Sequence, residues 1–541
     1  MRKRNNGFLL AFPALAGFLV FYFVPFLITV WYSVSFGIGK REFVGLDNFK
    51  SLFENEMFLL AVKNTIQYMA VTVPVTLAGA MFLSILLQNA VKGVRFFQLS
   101  FLYPMILPIA SVVLGVQFLW GESGIWNRVL ELIGGEPKDW LNTSAAFWVL
   151  CILYCWRFTG YYVLIYFARL QMIPREYYEY ATMFGAGKWQ SFWHITWPML
   201  IPTFGFTIVL SVMNGFKCYR EAFLLGGNYP DDSIYLLQHF MNNNFQNLNY
   251  QKISAAAVSI VAALLVPAVV GYVLYLIVRR GKSMAKKRQK RVLFLGIISL
   301  VFLYPVIYML ICSVWEGKNA GVSMMGYYRV LLESPGYLVK FWRSLGMCLL
   351  IAGGQTILAC MAGTAFAKYR FIGKKFWLAM MALFMILPVQ VTLLPNYILM
   401  EKLGFLNSWK SLIIPGIFSP FGTVWLTFIF QSIPDEWLEA ARLDRANQLQ
   451  IVRYIVVPAA KPAVVTLFVL TFVESWNMVE QPIIFLEGEL DYPLSVFLAG
   501  VMENSMTVQS VCGLLCLLPV TFFFLYYHKE LTDGLRDVLW S

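Results

Sequence analysis

Apolar residues in this chain come in long unbroken runs, separated by short polar stretches. A run of about 20 apolar residues is enough to cross a bilayer as a helix. The pattern predicts spans at about 8–34, 58–88, 96–119, 145–170, 197–216 and 254–278, then at about 292–315, 343–367, 376–399, 411–432, 458–476 and 508–527. Twelve such helices describe an all-α polytopic membrane protein built as two parallel halves of six. The first half covers 1–280, a basic linker covers 281–290, and the second half covers 291–541. Composition supports this: 59% of residues are hydrophobic and 13% charged, about half the charge of a soluble chain.

The first span follows Arg2-Lys3-Arg4, and Ala14-Leu15-Ala16 mimics a signal-peptide cleavage site. The apolar run nevertheless continues to Val34, so the segment reads as a retained anchor. Orientation follows from the basic residues, which stay in the cytosol. Arg2 to Arg4, then Lys92 and Arg95, then Arg169, Arg175 and Lys188 mark alternate loops as cytosolic. The run from Arg279 to Arg291 and the group Lys368, Arg370, Lys374 and Lys375 continue the series. Intervening loops hold Glu122, Glu131, Glu136 and Asp139, then Glu487, Glu489 and Asp491. Both termini are therefore expected inside. The net charge of +13 belongs to the cytosolic face, where it meets anionic lipid. Basic residues that flank spans do not form a nucleic-acid patch.

The eight cysteines add little. Cys151/Cys155 and Cys512/Cys516 each share a helix face at i, i+4, which reads as packing rather than redox or metal chemistry.

An internal repeat is more informative. The segment IPREYYEYATMFGAGKWQSFWHITWPMLIP from Ile173 aligns without gaps with IPDEWLEAARLDRANQLQIVRYIVVPAAKP from Ile433, at an offset of 434 − 174 = 260. Glu176/Glu436, Glu179/Glu439, Ala181/Ala441, Ala186/Ala446, Gln190/Gln450, Ile195/Ile455 and Pro198/Pro458 are identical. Each copy, over about 174–198 and 434–458, falls between the fourth and fifth spans of its half. Each reads as a helix, a bend and a second helix: Pro174 and Pro434 suit a first turn, and Gly185 and Gly187 break the first copy. A polar helix pair outside the bilayer is a surface offered to a partner protein.

These segments resemble the EAA loops of ABC importer permeases of the carbohydrate, maltose-type family. The first copy matches at Glu179, Ala181, Gly185 and Ala186, with Tyr180 and Phe184 as departures. The second matches at Glu439, Ala440, Ala441, Asp444 and Ala446, with Arg445 where the pattern has glycine. Gly45 to Phe49 and Asn64-Thr65 look like the first permease subunit of such importers. Gly404 to Asn407, Phe421-Gly422 and Trp476-Asn477 with Pro482 look like the second. The resemblance implies two permease subunits fused in one chain. It further implies that each loop docks on one of two cytosolic ATPase subunits, which bind ATP and Mg, and that an extracellular solute-binding protein delivers a sugar. The location implied is a bacterial plasma membrane.

The chain itself offers no phosphate loop. Gly281-Lys282-Ser283 has the end of one, yet Leu276 stands where its first glycine belongs. Polar groups inside spans mark a candidate pathway at Arg157, Tyr161, Asn214, Trp476 and Asn477. Each has a structural reading beside the functional one: Arg157 could brace a neighbouring helix or pair with a carboxylate, and the asparagines could bond between helices. The competing class is a proton-coupled secondary transporter with six-plus-six spans. It does not account for the paired loops, and the loop Asn89 to Arg95 lacks the acid such proteins carry. Three histidines and no clustered acids leave little for enzyme chemistry.

Overall fold

The computed structural model describes residues 2–37, 42–88, 94–122, 124–171, 173–174, 176–216, 218–263, 306–307, 309–314, 323–333, 336–387, 389–488, 491–500 and 506–538. The basic linker at 281–290, most of the sixth expected span and much of the seventh lie outside these residues. Among these residues the fold is mostly helical, with one two-stranded ribbon pairing Ser35–Phe36 with Glu42–Phe43.

Helices α1 (Arg2–Phe18) and α2 (Val24–Ser33) are joined by a π turn at Leu19–Phe23. Then come α3 (Glu56–Gln88), α4 (Val94–Ile106), α5 (Ile109–Trp120), α6 (Ile125–Leu132) and α7 (Ala146–Gln171). They are followed by α8 (Glu176–Met183), α9 (Trp197–Phe216), α10 (Tyr219–Gly226) and α11 (Leu237–Gln246). In the second half the corresponding set starts with α12 (Gly336–Lys368), α13 (Lys374–Ile386), α14 (Gln390–Lys402), α15 (Lys410–Ile417) and α16 (Pro420–Gln431). It ends with α17 (Asp435–Leu443), α18 (Lys461–Trp476) and α19 (Met506–Val538).

Among the described residues, seven helices are long and apolar enough to cross a membrane, or nine if two bent pairs are each one span. One bent pair is Lys374–Met385 with Gln390–Lys402, at 101°; the other is Gln448–Ala459 with Lys461–Trp476, at 91°. The third expected span is likewise two helices, α4 and α5, interrupted at Leu107-Pro108. Proline removes a backbone donor and clashes with the preceding turn, so an apolar run that contains it need not be one rod. Apolar length alone therefore read the interrupted third and ninth spans as continuous, whereas the 91° bend falls at the entry of the eleventh, whose helix α18 is unbroken from Lys461 to Trp476.

By its internal contacts the chain divides into two compact units that do not follow the sequence halves. One comprises Met1–Asn48 and Met324–Ser541, the other Phe49–Ser323. The first span thus packs with the helices of the second half, where the sequence order placed it at the start of the first. The reasons are local. A Cβ on Gly7 would lie 2.4 Å from Tyr369 Cβ, and one on Gly17 1.9 Å from Phe418 Cδ1, so both glycines let α1 approach closely. Phe18 meets Phe384 edge-on at 5.2 Å, Thr29 Oγ1 donates to Val391 O at 2.7 Å, and Asn396 Nδ2 donates to Phe21 O at 2.9 Å. The last acceptor lies in the π turn. Residues 306–314, from the first span expected in the second half, fall in the other unit.

The repeat is visible in the helices themselves. Helices α3 and α12 both have 33 residues and start 280 apart, since 336 − 56 = 280. Further on the offset falls to 260. Most of that difference sits at one place: residues 121–145 separate α5 from α7, whereas only 403–409 separate α14 from α15.

Candidate functional site

The two repeated segments fold alike to the level of single hydrogen bonds. In the first, α8 closes through Gly185 N donating to Thr182 O at 3.0 Å and Ala186 N to Ala181 O at 2.9 Å. In the second, α17 closes through Arg445 N to Arg442 O at 3.1 Å and Ala446 N to Ala441 O at 3.0 Å. This pair of bonds ends a helix only when the residue after its last turn is left-handed. Gly185 has φ +78° and Arg445 φ +59°. Arginine in place of glycine therefore leaves the bend unchanged.

Beyond each bend a glutamine side chain stabilises the next short helix: Gln190 Oε1 accepts from Gly187 N at 2.9 Å, and Gln450 Oε1 from Asn447 N at 2.8 Å. Each copy then passes through a π turn, at Phe192–Thr196 and Val452–Val456, again 452 − 192 = 260 apart. What braces the bend differs. Tyr178 OH is hydrogen-bonded to Thr196 Oγ1 in the first copy. The matching positions in the second, Leu438 and Val456, are both buried in its hydrophobic core. Lys368 adds a second brace there, donating to Gln431 O at 3.2 Å and pairing with Asp435 at 2.8 Å.

Glu179 and Glu439 are exposed, each on the helix before its bend, while Ala181 is half-buried and Ala441 buried. Asp444 is exposed at the end of α17. Large apolar side chains surround them in the open: Phe184 is 89% exposed and Leu443 85%. Exposed apolar surface beside charge, outside the spans, is what a protein interface requires. Glu439 also lines a groove of about 1060 Å³ with Lys368, Arg370, Asp435 and Arg442.

A second polar feature lies inside the spans of the unit 49–323. Tyrosines from α3 and α7 are bonded to groups on α9 and just beyond it: Tyr68 OH to Cys218 Sγ at 2.7 Å, Tyr154 OH to Ser211 O at 2.6 Å, and Tyr166 OH to Thr207 Oγ1 at 2.7 Å. Asn214 Nδ2 donates to Tyr162 OH at 3.0 Å. Arg157 is buried and paired with the buried Glu221 of α10, and its Nη2 reaches Leu107 O at 3.4 Å. That carbonyl sits at the interruption between α4 and α5, so the guanidinium serves the break as well as the carboxylate. An ionised group in a spanning segment is retained when paired in this way.

Residues 77–284 and 355–536 each match the family described as binding-protein-dependent transport system inner membrane component. The chain belongs to this family. It carries the family's domain twice, so it is a membrane-embedded permease of the ABC transporter class. It is 32% identical over 257 residues to the probable ABC transporter permease protein YesP of Bacillus subtilis, which covers 45% of this chain and 82% of that one. It is 30% identical over 247 residues to the lactose transport system permease protein LacF of Rhizobium radiobacter, covering 44% and 82%. The arabinooligosaccharides transport system permease protein AraP of Bacillus subtilis is 30% identical over 242 residues, covering 43% and 76%. Each relative corresponds to about half of the permease described here. A crystal structure of a bacterial alginate ABC transporter, in complex with its alginate pentasaccharide-bound periplasmic protein, superposes with a TM-score of 0.44. It is 20% identical and covers 50% of this chain and 94% of its own.

The remaining pathway candidates of the permease have structural partners too. Tyr161 is half-buried, its ring 5.3 Å from that of Tyr162. Trp476 is buried, stacked on Phe472 at 5.7 Å, and donates from Nε1 to Cys516 O at 3.2 Å. Asn477 is buried and donates to Val473 O at 2.8 Å. The structure joins Asn214 to the neighbour of Tyr161, and Trp476 to Asn477 only along the chain. Sequence reasoning missed Glu221, because the fifth apolar run ends near 216 and the acid lies beyond it. Its signal is positional: 221 + 260 = 481 and 157 + 260 = 417 are Gln481 and Ile417, so a charge of each sign is present in the first half and absent from both matching positions.

Proposed function

We propose that this permease imports a sugar, in the size range of an oligosaccharide, across a bacterial plasma membrane in which both termini face the cytosol. The observation that carries the reading is the duplicated bend, with Glu179 and Glu439 at one position in both copies. As EAA loops, at about 174–198 and 434–458, they receive two separate cytosolic ATPase subunits, in which ATP and Mg are bound. Closure of those subunits on ATP moves the bends, and the helices that follow switch access from one face to the other. An extracellular solute-binding protein supplies the cargo, a reading supported by the family's description as binding-protein-dependent. The sugars in the relatives' names support the substrate class.

Arg157, Tyr161 and Asn214 in the first half, with Trp476 and Asn477 in the second, are the proposed pathway residues. Amides, tyrosine hydroxyls and ring faces match the hydroxyls and apolar faces of a sugar. An ion-coupled transporter gives no role to two matched bends with exposed carboxylates.

Uptake of labelled oligosaccharides into proteoliposomes, with binding protein outside and ATPase subunits and ATP inside, separates the two. The reading expects uptake that stops without ATP. Uptake driven by a proton or sodium gradient alone would overturn it.

A further inference from the structure

The extra residues between α5 and α7, which the second half lacks, are ordered around one buried side chain. Asn127 Nδ2 donates to Glu122 O at 3.0 Å and Lys138 O at 2.8 Å, and its Oδ1 accepts from Lys138 N at 3.0 Å and Trp140 Nε1 at 2.8 Å. The loop is thus held with α6 in a fixed rotation. With Asn127 turned inward, α6 presents Trp126, Val129, Leu132 and Ile133 to the outside, at 47%, 40%, 85% and 74% exposure. At 100° per residue these four fall on one arc, whereas Arg128 and Glu131 fall on the other side.

Its depth follows from the neighbours. Four residues, 121–124, link α6 to the end of α5, and α7 begins at Ala146. Trp120, Trp126, Trp140 and Trp148 cluster at these helix ends, the arrangement by which membrane proteins mark the bilayer interface. On the span that follows, α7, Trp148 and Ile152 near its start are exposed at 59% and 51%, a surface for acyl chains.

We infer that α6 is an interfacial helix whose Trp126, Val129, Leu132 and Ile133 insert into lipid, in the leaflet opposite the first bend. Span α7 separates α6 from the first bend, which sets the side. The occupant is lipid and not a protein because the face holds no charge and is level with the aromatic belt. An interfacial helix needs this pattern, apolar on one side and charged on the other, and no great length. It anchors the end of the interrupted third span to one membrane depth.

The test is electron paramagnetic resonance on the full-length permease in lipid nanodiscs. Spin labels are placed singly at Val129→Cys, Leu132→Cys, Ile133→Cys, Arg128→Cys and Glu131→Cys, in a background with Cys155→Ser and Cys312→Ser. All five positions are exposed, so labelling leaves the fold intact. Positions 129, 132 and 133 are expected to be accessible to oxygen and shielded from a water-soluble nickel chelate, with 128 and 131 reversed. Nickel access at all five would overturn the inference. So would nickel access at 129, 132 and 133 that disappears only when solute-binding protein is added, because the face would then be a protein-docking surface.

Discussion

Gly185 and Arg445, 260 residues apart, hold the same left-handed backbone at the same point of the two bends, and both bends close with the same pair of hydrogen bonds. For a residue with a Cβ this conformation costs about 1 kcal/mol or more. Arg445 therefore carries strain that Gly185 does not. Gly185→Ala is expected to lower thermal stability by about 1 kcal/mol, and Arg445→Gly to leave it unchanged or raise it. Equal losses from both variants in a melting experiment would contradict the shared bend.

Arg157 and Glu221 form a buried pair with no ionic equivalent at Ile417 and Gln481. Removing one partner leaves the other charge unpaired, a loss of about 3–5 kcal/mol. Arg157→Met or Glu221→Gln alone should destabilise strongly, and the double variant should recover much of the loss. A double-mutant cycle on melting in nanodiscs measures the coupling, and additive effects would show that the pair contributes nothing. The same asymmetry predicts that Asn214→Ala impairs sugar uptake more than Glu474→Ala at the matching position.

Much of this architecture is legible in the sequence because apolar length and a gapless repeat are strong signals. The bends at 174–198 and 434–458 stand where the repeat put them, and Arg157 proved to have the carboxylate partner weighed for it. Less legible were features set by tertiary contact. Nothing in the apolar pattern says that Gly7 and Gly17 admit Tyr369 and Phe418, so the exchange of the first span was hidden. Glu221 was hidden too, because it stands on α10, a separate short helix beyond the end of the fifth apolar run at Phe216.

His239 on α11 titrates far from its ordinary range. Complete burial brings its pKa from 6.5 down to about 3, with Nδ1 accepting from Leu236 N at 3.1 Å and the rings of Tyr219 and Tyr235 centred 4.8 and 5.6 Å away. A base whose folded pKa is lowered binds its proton preferentially in the unfolded chain. Its neutral form costs nothing above pH 6.5, and stability is lost as pH falls from there toward 3, by up to about 1.4 kcal/mol per unit. Melting temperature against pH should show this acid-side slope, and His239→Gln should flatten it. An unchanged slope in the variant would assign the loss to other groups.

Because the family domain occurs twice, one chain should complete the transmembrane part of the transporter. Native mass spectrometry of the assembled complex is expected to find one copy of this permease with two ATPase subunits. Two copies of the permease would contradict the fused-subunit reading.

The central claim is that the two bends carry the signal of ATP hydrolysis, and Glu179 and Glu439 test it most directly. Both are exposed, so Glu179→Ala and Glu439→Ala should leave folding and membrane insertion intact. An ion pair at a docking surface, once truncated, leaves its partner charge unmatched and weakens the contact. Each single variant is therefore expected to reduce the ATPase stimulation produced by loaded binding protein, unequally because Tyr178–Thr196 braces one bend and Lys368–Asp435 the other. The measurement is ATP hydrolysis by the reconstituted complex carrying both substitutions, with and without sugar-loaded binding protein. Stimulation that falls close to the basal rate is the predicted result, and stimulation equal to that of the wild type would remove the bends from the coupling path.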